Sequence, residues 1–132
     1  KAVADINILM NSMTGKTFTK EQLINYYAAR KYMPLHLKSE DDRTIKKKIN
    51  PQGFTITDSD TENLIQCLLH MRRIITVHEG LRWNDIKRYG IEISHNRDGQ
   101  ADDVLLVNDL RRAMQIPQEV IAAGLEANPR NN

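Results

Sequence analysis

Apolar residues recur along this chain mostly at helical rather than alternating spacing. Val3, Ile6, Leu9 or Met10, and Met13 predict an amphipathic helix over residues 1–13, closed by Thr14-Gly15. Thr19-Lys20-Glu21-Gln22 has the form of a capping box, in which the Thr hydroxyl and the Gln side chain satisfy opening amides. Leu23, Ile24, Tyr27 and Ala28 continue that helix to about Tyr32, before the break at Met33-Pro34. Asp58-Ser59-Asp60-Thr61-Glu62 places caps and negative charge at a helix start. From there Leu64, Ile65, Leu68, Leu69, Arg72 and Ile75 describe a long amphipathic helix that ends at Gly80.

A second, short helix follows from Trp83 to Tyr89 and is closed by Gly90, so that two glycines bracket a sharp corner. The pattern then changes. Ile91-Glu92-Ile93-Ser94 and Val104-Leu105-Leu106-Val107 flank Asn96-Arg97-Asp98-Gly99, a hairpin signature that predicts a two-stranded ribbon. Such a ribbon is marginal alone and has to pack on the helices. Pro117 suits the first position of a short helix through Ala123, ended by Gly124. The tail Asn128-Pro129-Arg130-Asn131-Asn132 is polar and reads as loose.

Charge and aromatic residues are densest between Glu79 and Gly90. Helical spacing sets Arg82 near Asp85 and Asp85 near Arg88, while Trp83, Ile86 and Tyr89 share a face. Arg73, Glu79, Arg82, Asp85 and Arg88 therefore read as a structural ion-pair network that locks the corner at Gly80. Trp83, among helical apolar neighbours, reads as core rather than as a platform for a sugar ring.

With 132 residues and 40% hydrophobic content, the chain is the size of one domain with a core. Its formal net charge of +2 gives little reason to expect nucleic acid as a partner. Glu40-Asp41-Asp42 and Lys46-Lys47-Lys48 lie close together and offset each other in what reads as a solvated loop; no aromatic residues interleave the lysines as in a nucleic-acid groove. A lone cysteine, Cys67, excludes an intrachain disulfide and reads as a small apolar helix residue.

Catalytic and metal chemistry find no support. His36, His70, His78 and His95 include no pair three or four residues apart, so no helical metal motif forms. Ser94, Asn96, Asp98 and Asp102-Asp103 faintly follow a calcium loop, but Leu105 falls where a bidentate glutamate is required. No Gly-rich phosphate loop or nucleophile elbow is present. The expectation is a non-enzymatic protein with no cofactor and no catalytic residue. The opening Lys1-Ala2-Val3, without Met or a helix cap, reads as a helix entered partway and hence as a piece of a longer protein.

Three segments resemble SusD/RagB-like proteins, the outer-membrane nutrient-binding lipoproteins of Bacteroidetes. The order Arg72-Arg73, Glu79-Gly80, then Arg82-Trp83-x-Asp85-Ile86-Lys87-Arg88-Tyr89-Gly90 is similar to the family's late segment. Ala113-Met114-Gln115-Ile116-Pro117-Gln118 with Gly124, Asn128 and Pro129 resembles its closing Ile-Pro-Gln and Asn-Pro tail. Ala4-Asp5-Ile6-Asn7-Ile8-Leu9 resembles its helix before a variable insert. Met71, Ile75 and His78 depart from the pattern, where the family usually carries two glutamates and an aromatic.

The resemblance implies a mainly α fold, the C-terminal portion of a tetratricopeptide-like helical protein with a small β-hairpin, and residues 33–57 as a variable loop or insert. It further implies glycan or peptide capture at the extracellular face of the outer membrane, beside a SusC-like TonB-dependent transporter, with membrane attachment through a lipid anchor absent from this chain. Under it Arg73, Glu79, Gly80, Arg82, Trp83, Asp85, Arg88, Gly90 and Pro117 are structural motif residues, and no ligand-binding residue carries over. The alternative is a free-standing helical protein–protein interaction module. A SusD-like fragment differs from it by an unsatisfied apolar face along Val3, Ile6 and Leu9, or along the long helix.

Overall fold

A computed structural model describes residues 1–130, so Asn131 and Asn132 of the predicted tail lie outside the described residues. The fold is mainly helical with a small antiparallel sheet. Its elements are α1 (Ala2–Thr14), α2 (Lys20–Ala28), α3 (Ser59–Ile75), α4 (Arg82–Arg88), β1 (Ile93–His95), β2 (Asp103–Leu105) and α5 (Gln118–Ala122), with single 3-10 turns at Glu40–Asp42 and Leu110–Arg112.

The caps form as their chemistry requires. At α2 the Thr19 side chain accepts from the Gln22 amide and the Gln22 side chain accepts from the Thr19 amide. Asp58 accepts from the Thr61 amide at the start of α3. The Gly15 amide closes α1 on the Asn11 carbonyl. The Asn7 side-chain amide donates to the Phe18 carbonyl at 2.7 Å and accepts from the Phe18 amide at 2.8 Å, and so fastens α1 to the entry of α2.

Two apolar clusters form the core, and α3 contributes to both. Ile6, Leu23, Tyr27, Cys67 and Met71 join α1, α2 and one side of α3. Leu69, Ile86 and Ile91 join α3 to α4 and the ribbon, with Trp83, Tyr89 and Ile49 packed around them. Each fully buried side chain of this kind contributes about 1.5–3 kcal/mol relative to exposure.

Several expectations require correction. The second helix stops at Ala28, not near Tyr32, because Tyr32 pairs with Lys46 in an isolated parallel bridge and the Met33 amide donates to the Lys46 carbonyl. The long helix stops at Ile75 rather than Gly80: the Thr76 amide and hydroxyl both bond the Arg72 carbonyl, and Gly80 turns the following loop into α4. The buried face of α3 is Asn63, Gln66, Cys67, Leu69 and Met71, while Leu68 and Ile75 are exposed. The ribbon pairs Ile93 with Leu105 and His95 with Asp103, displaced by one or two residues from the expected runs. Pro117 caps α5 from outside instead of filling its first position, its carbonyl accepting from Val120 and Ile121.

The tail through Arg130 is tied down rather than loose. The Gln115 side-chain amide makes two bonds to the Asn128 backbone, and the Asn128 side chain donates to the Met114 carbonyl at 2.7 Å. Arg130 Nη1 donates to the carbonyls of Leu110 and Ala113.

Candidate functional site

The motif segment builds the corner between α3 and α4, but with a different ion pair from the one its local spacing predicts. Asp85 is 4% exposed, and both of its oxygens accept from Arg72 Nε, at 3.1 and 3.2 Å. Arg72 projects from α3, so this bond crosses between helices. Arg82 and Arg88 do not pair with Asp85: among the described residues the ion pair at this corner is Arg72–Asp85. The Arg88 guanidinium lies 6.0 Å from the Phe54 ring, which itself meets Tyr89 edge-on at 5.6 Å. Arg73 and Glu79 are exposed and make no ion pair among the described residues.

Trp83 and Tyr89 are half-buried and pack with Ile86 against the second cluster, in core positions. Gly80 has φ +67 with open space around it, whereas Gly90, at φ +57, lies against the Asn50 backbone. The segment 33–57 is therefore threaded into the corner through Ile49 and Asn50.

Two buried cations went unnoticed in the sequence. Lys46 is 6% exposed, which overturns the solvated-loop reading for that residue. Its Nζ donates to the Tyr27 carbonyl at 3.1 Å and to Asn63 Oδ1 at 2.8 Å, and it sits 4.6 Å from the Tyr32 ring centre. A cation there joins the Arg30 amide as a second donor to a carbonyl at the C-terminal end of α2, where the helix dipole favours positive charge. The signal was Asn63, an uncharged polar residue on the inward period of a helix.

Arg112 is the second, at 7% exposure. Its guanidinium donates to the carbonyls of Ile86, Ile91, Leu105 and Leu106, joining α4, the chain after Gly90 and the end of β2. Nothing in the pattern of Arg111-Arg112 marks one arginine for burial; Arg111 instead pairs with Asp109 at 2.6 Å.

Two open grooves have mainly apolar linings. A groove of about 510 Å³ runs between the end of α1, α2 and α3, walled by Met10, Met13, Phe18, Tyr26 and Ile74. Its polar floor is the Tyr27 hydroxyl bonded to His70 Nδ1 at 2.9 Å. Burial, then the charge of Arg73, lowers the pKa of His70, while burial raises that of Tyr27. A second groove, of about 390 Å³, lies on the other side of α1, between Val3, Leu9, Leu64 and Leu68. A more polar recess of about 360 Å³ has Lys48, Asn50, Glu62 and Glu92 at its walls. Burial and the Glu62 carboxylate, which accepts from the Tyr32 hydroxyl at 2.5 Å, push the Tyr32 phenol up to about 12.

Among the described residues, no three His, Cys, Asp or Glu side chains converge to hold a metal ion. The Cys67 thiol is buried, and burial raises its pKa, which disfavours the reactive thiolate. No described helix is long and apolar enough to cross a membrane. No family model, curated protein or solved structure matches the chain.

Proposed function

We propose that this chain is the C-terminal portion of a SusD/RagB-like nutrient-binding lipoprotein, and that its work there is scaffolding rather than catalysis. In this reading the whole protein is held by a lipid anchor at the extracellular face of the outer membrane. It captures a glycan or peptide and acts as a lid over a SusC-like TonB-dependent transporter. The tetratricopeptide-like helix pairs of such a protein are completed by α1 to α4.

The observation that carries this reading is the way the lead-in to the second motif segment is anchored on the first. Arg112 lies just ahead of Gln115-Ile116-Pro117, and its guanidinium closes on the Ile86 carbonyl of the Trp83–Gly90 segment and on the Ile91 carbonyl that follows it. The residue that leads into the second motif is thus anchored on the first. The open grooves on both sides of α1 add support, since helix-pair repeats bury such faces against neighbouring helices.

The test is the intact mass and N-terminal chemistry of the native protein from a membrane fraction. A much larger chain bearing an acylated N-terminal cysteine is the expected result. The second reading, a free-standing helical interaction module, predicts instead a chain that folds cooperatively by itself with no large exposed apolar face. An unmodified chain of 15.2 kDa in the soluble fraction would favour that module and overturn the lipoprotein.

A further inference from the structure

The face of α3 that turns toward α4 carries more positive charge than the protein neutralises. Lys47, Arg73, Arg82 and His70 line one small recess, with Gln66 and Ile91 completing its wall. Arg82 Nη1 is shut off from solvent and has no hydrogen-bond partner. Asp85, the carboxylate that acts on Arg82 from a distance, has both oxygens occupied by Arg72 Nε. No carboxylate lies within ion-pair distance of Lys47, Arg73 or Arg82 among the described residues.

We propose that this recess is an oxyanion site, in which one oxygen of a phosphate or carboxylate group enters between Arg82 and Lys47 while the rest of the group faces Arg73. The recess holds about 10 Å³, the size of a single water or oxygen atom, so the group seats one atom and stays at the mouth. A water molecule would satisfy the Arg82 donor but leave three cations facing one another. An anion satisfies the donor and also removes that repulsion. The strain has a titration signature: burial, then Arg73 and Arg82, lower the pKa of Lys47, and burial with Arg73 lowers that of Arg82. The Lys47 backbone is already fixed, because Gln66 bonds its amide and its carbonyl at 3.3 and 2.5 Å. The Lys47 end of the recess is therefore held in place, and the site does not depend on the reading proposed above.

The experiment compares thermal unfolding of the whole chain in sodium phosphate, sodium acetate and sodium chloride at matched ionic strength. Phosphate also stabilises folds generally by exclusion from their surface, so the readout is the increment over site variants. At tenfold over Kd, a bound oxyanion raises the melting temperature by about 5 °C for a chain of this size. Arg82→Gln and Lys47→Gln lose that increment, and Lys48→Gln keeps it. Should Arg82→Gln not fold, Lys47→Gln decides alone, since the Gln66 bonds use only its backbone. In parallel, phosphate titration of the wild-type chain shifts the Arg82 Nε–H resonance. An increment with acetate as well as phosphate assigns the site to carboxylates too, and one with phosphate alone assigns it to phosphoryl groups. Equal stability in phosphate and chloride, an increment unchanged by Lys47→Gln, or an unmoved Arg82 resonance would overturn the proposal in favour of a water or an adventitious ion only.

Discussion

The Asn50 carbonyl oxygen lies 1.9 Å from the place where a Cβ on residue 90 would stand, and the Asn50 amide donates to the Tyr89 carbonyl at 2.8 Å. Gly90 is thus fixed twice, by its left-handed backbone at φ +57 and by a neighbouring backbone that cannot turn aside as a side chain can.

Gly90→Ala is accordingly expected to cost about 3 kcal/mol, of which about 1 comes from the positive φ and the rest from moving the Asn50 segment. Gly80→Ala provides the contrast. Its φ is +67, but nothing approaches the added carbon, so only the backbone cost of about 1 kcal/mol remains. Urea unfolding of both variants separates the two effects, and equal losses would show that the close approach to Asn50 has no energetic weight.

A glycine at each end of the corner was legible in the sequence; what each does was not. Helix periods, the Thr19 and Asp58 caps and the hairpin are local properties, set by residues a few positions apart, and they were readable. Partner choice across helices was not. Local spacing nominates Arg82 and Arg88 for Asp85, but the bond is made by Arg72, because the packing of α3 on α4 decides which arginine arrives. The three consecutive lysines look alike, yet Lys46 is buried because the Tyr27 carbonyl and Asn63 stand opposite it. For the same reason a hydrophobic count misplaces the inward face of α3. Asn63 and Gln66 face inward as hydrogen-bond partners of the Lys46 side chain and the Lys47 backbone.

The Arg72–Asp85 bond yields a second prediction. Asp85→Ala removes a buried acceptor, but the Arg72 side chain is 40% exposed and can rehydrate. The loss should therefore fall at about 1–3 kcal/mol, below that of a fully buried pair. Arg88→Ala should stay within about 0.5 kcal/mol. A double-mutant cycle between Arg72→Met and Asp85→Ala measures the coupling directly. No coupling there, or a large loss from Arg88→Ala, would restore the local ion-pair network.

Lys46→Met keeps much of the side-chain volume while leaving Asn63 Oδ1 without its donor; the Tyr27 carbonyl keeps the Arg30 amide but loses its bond to the cation. One unsatisfied buried acceptor costs about 1–3 kcal/mol, so a loss of roughly 2 kcal/mol is expected. Lys48→Met, at an exposed neighbour, should be near neutral. Equal unfolding midpoints for the two variants would show that Lys46 does not act as the cation closing α2.

The His70 imidazole supplies the pH dependence. Burial, and next the Arg73 charge, hold its folded pKa below the ordinary 6.5, and its Nδ1 meets the Tyr27 hydroxyl at 2.9 Å. The unfolded chain therefore takes up a proton at a higher pH than the folded one. Stability from this group is fully present above the unfolded pKa of 6.5. It falls as pH drops below that value and levels off once pH is under the lowered folded pKa. Thermal unfolding across that window should show the wild-type chain losing more stability on acidification than His70→Gln, which has no proton to gain there. If Arg73→Gln is then introduced beside His70, the folded pKa rises and the acid loss shrinks. Parallel pH profiles for wild type and His70→Gln would place the titration elsewhere and remove His70 from the floor of the groove as a responsive group.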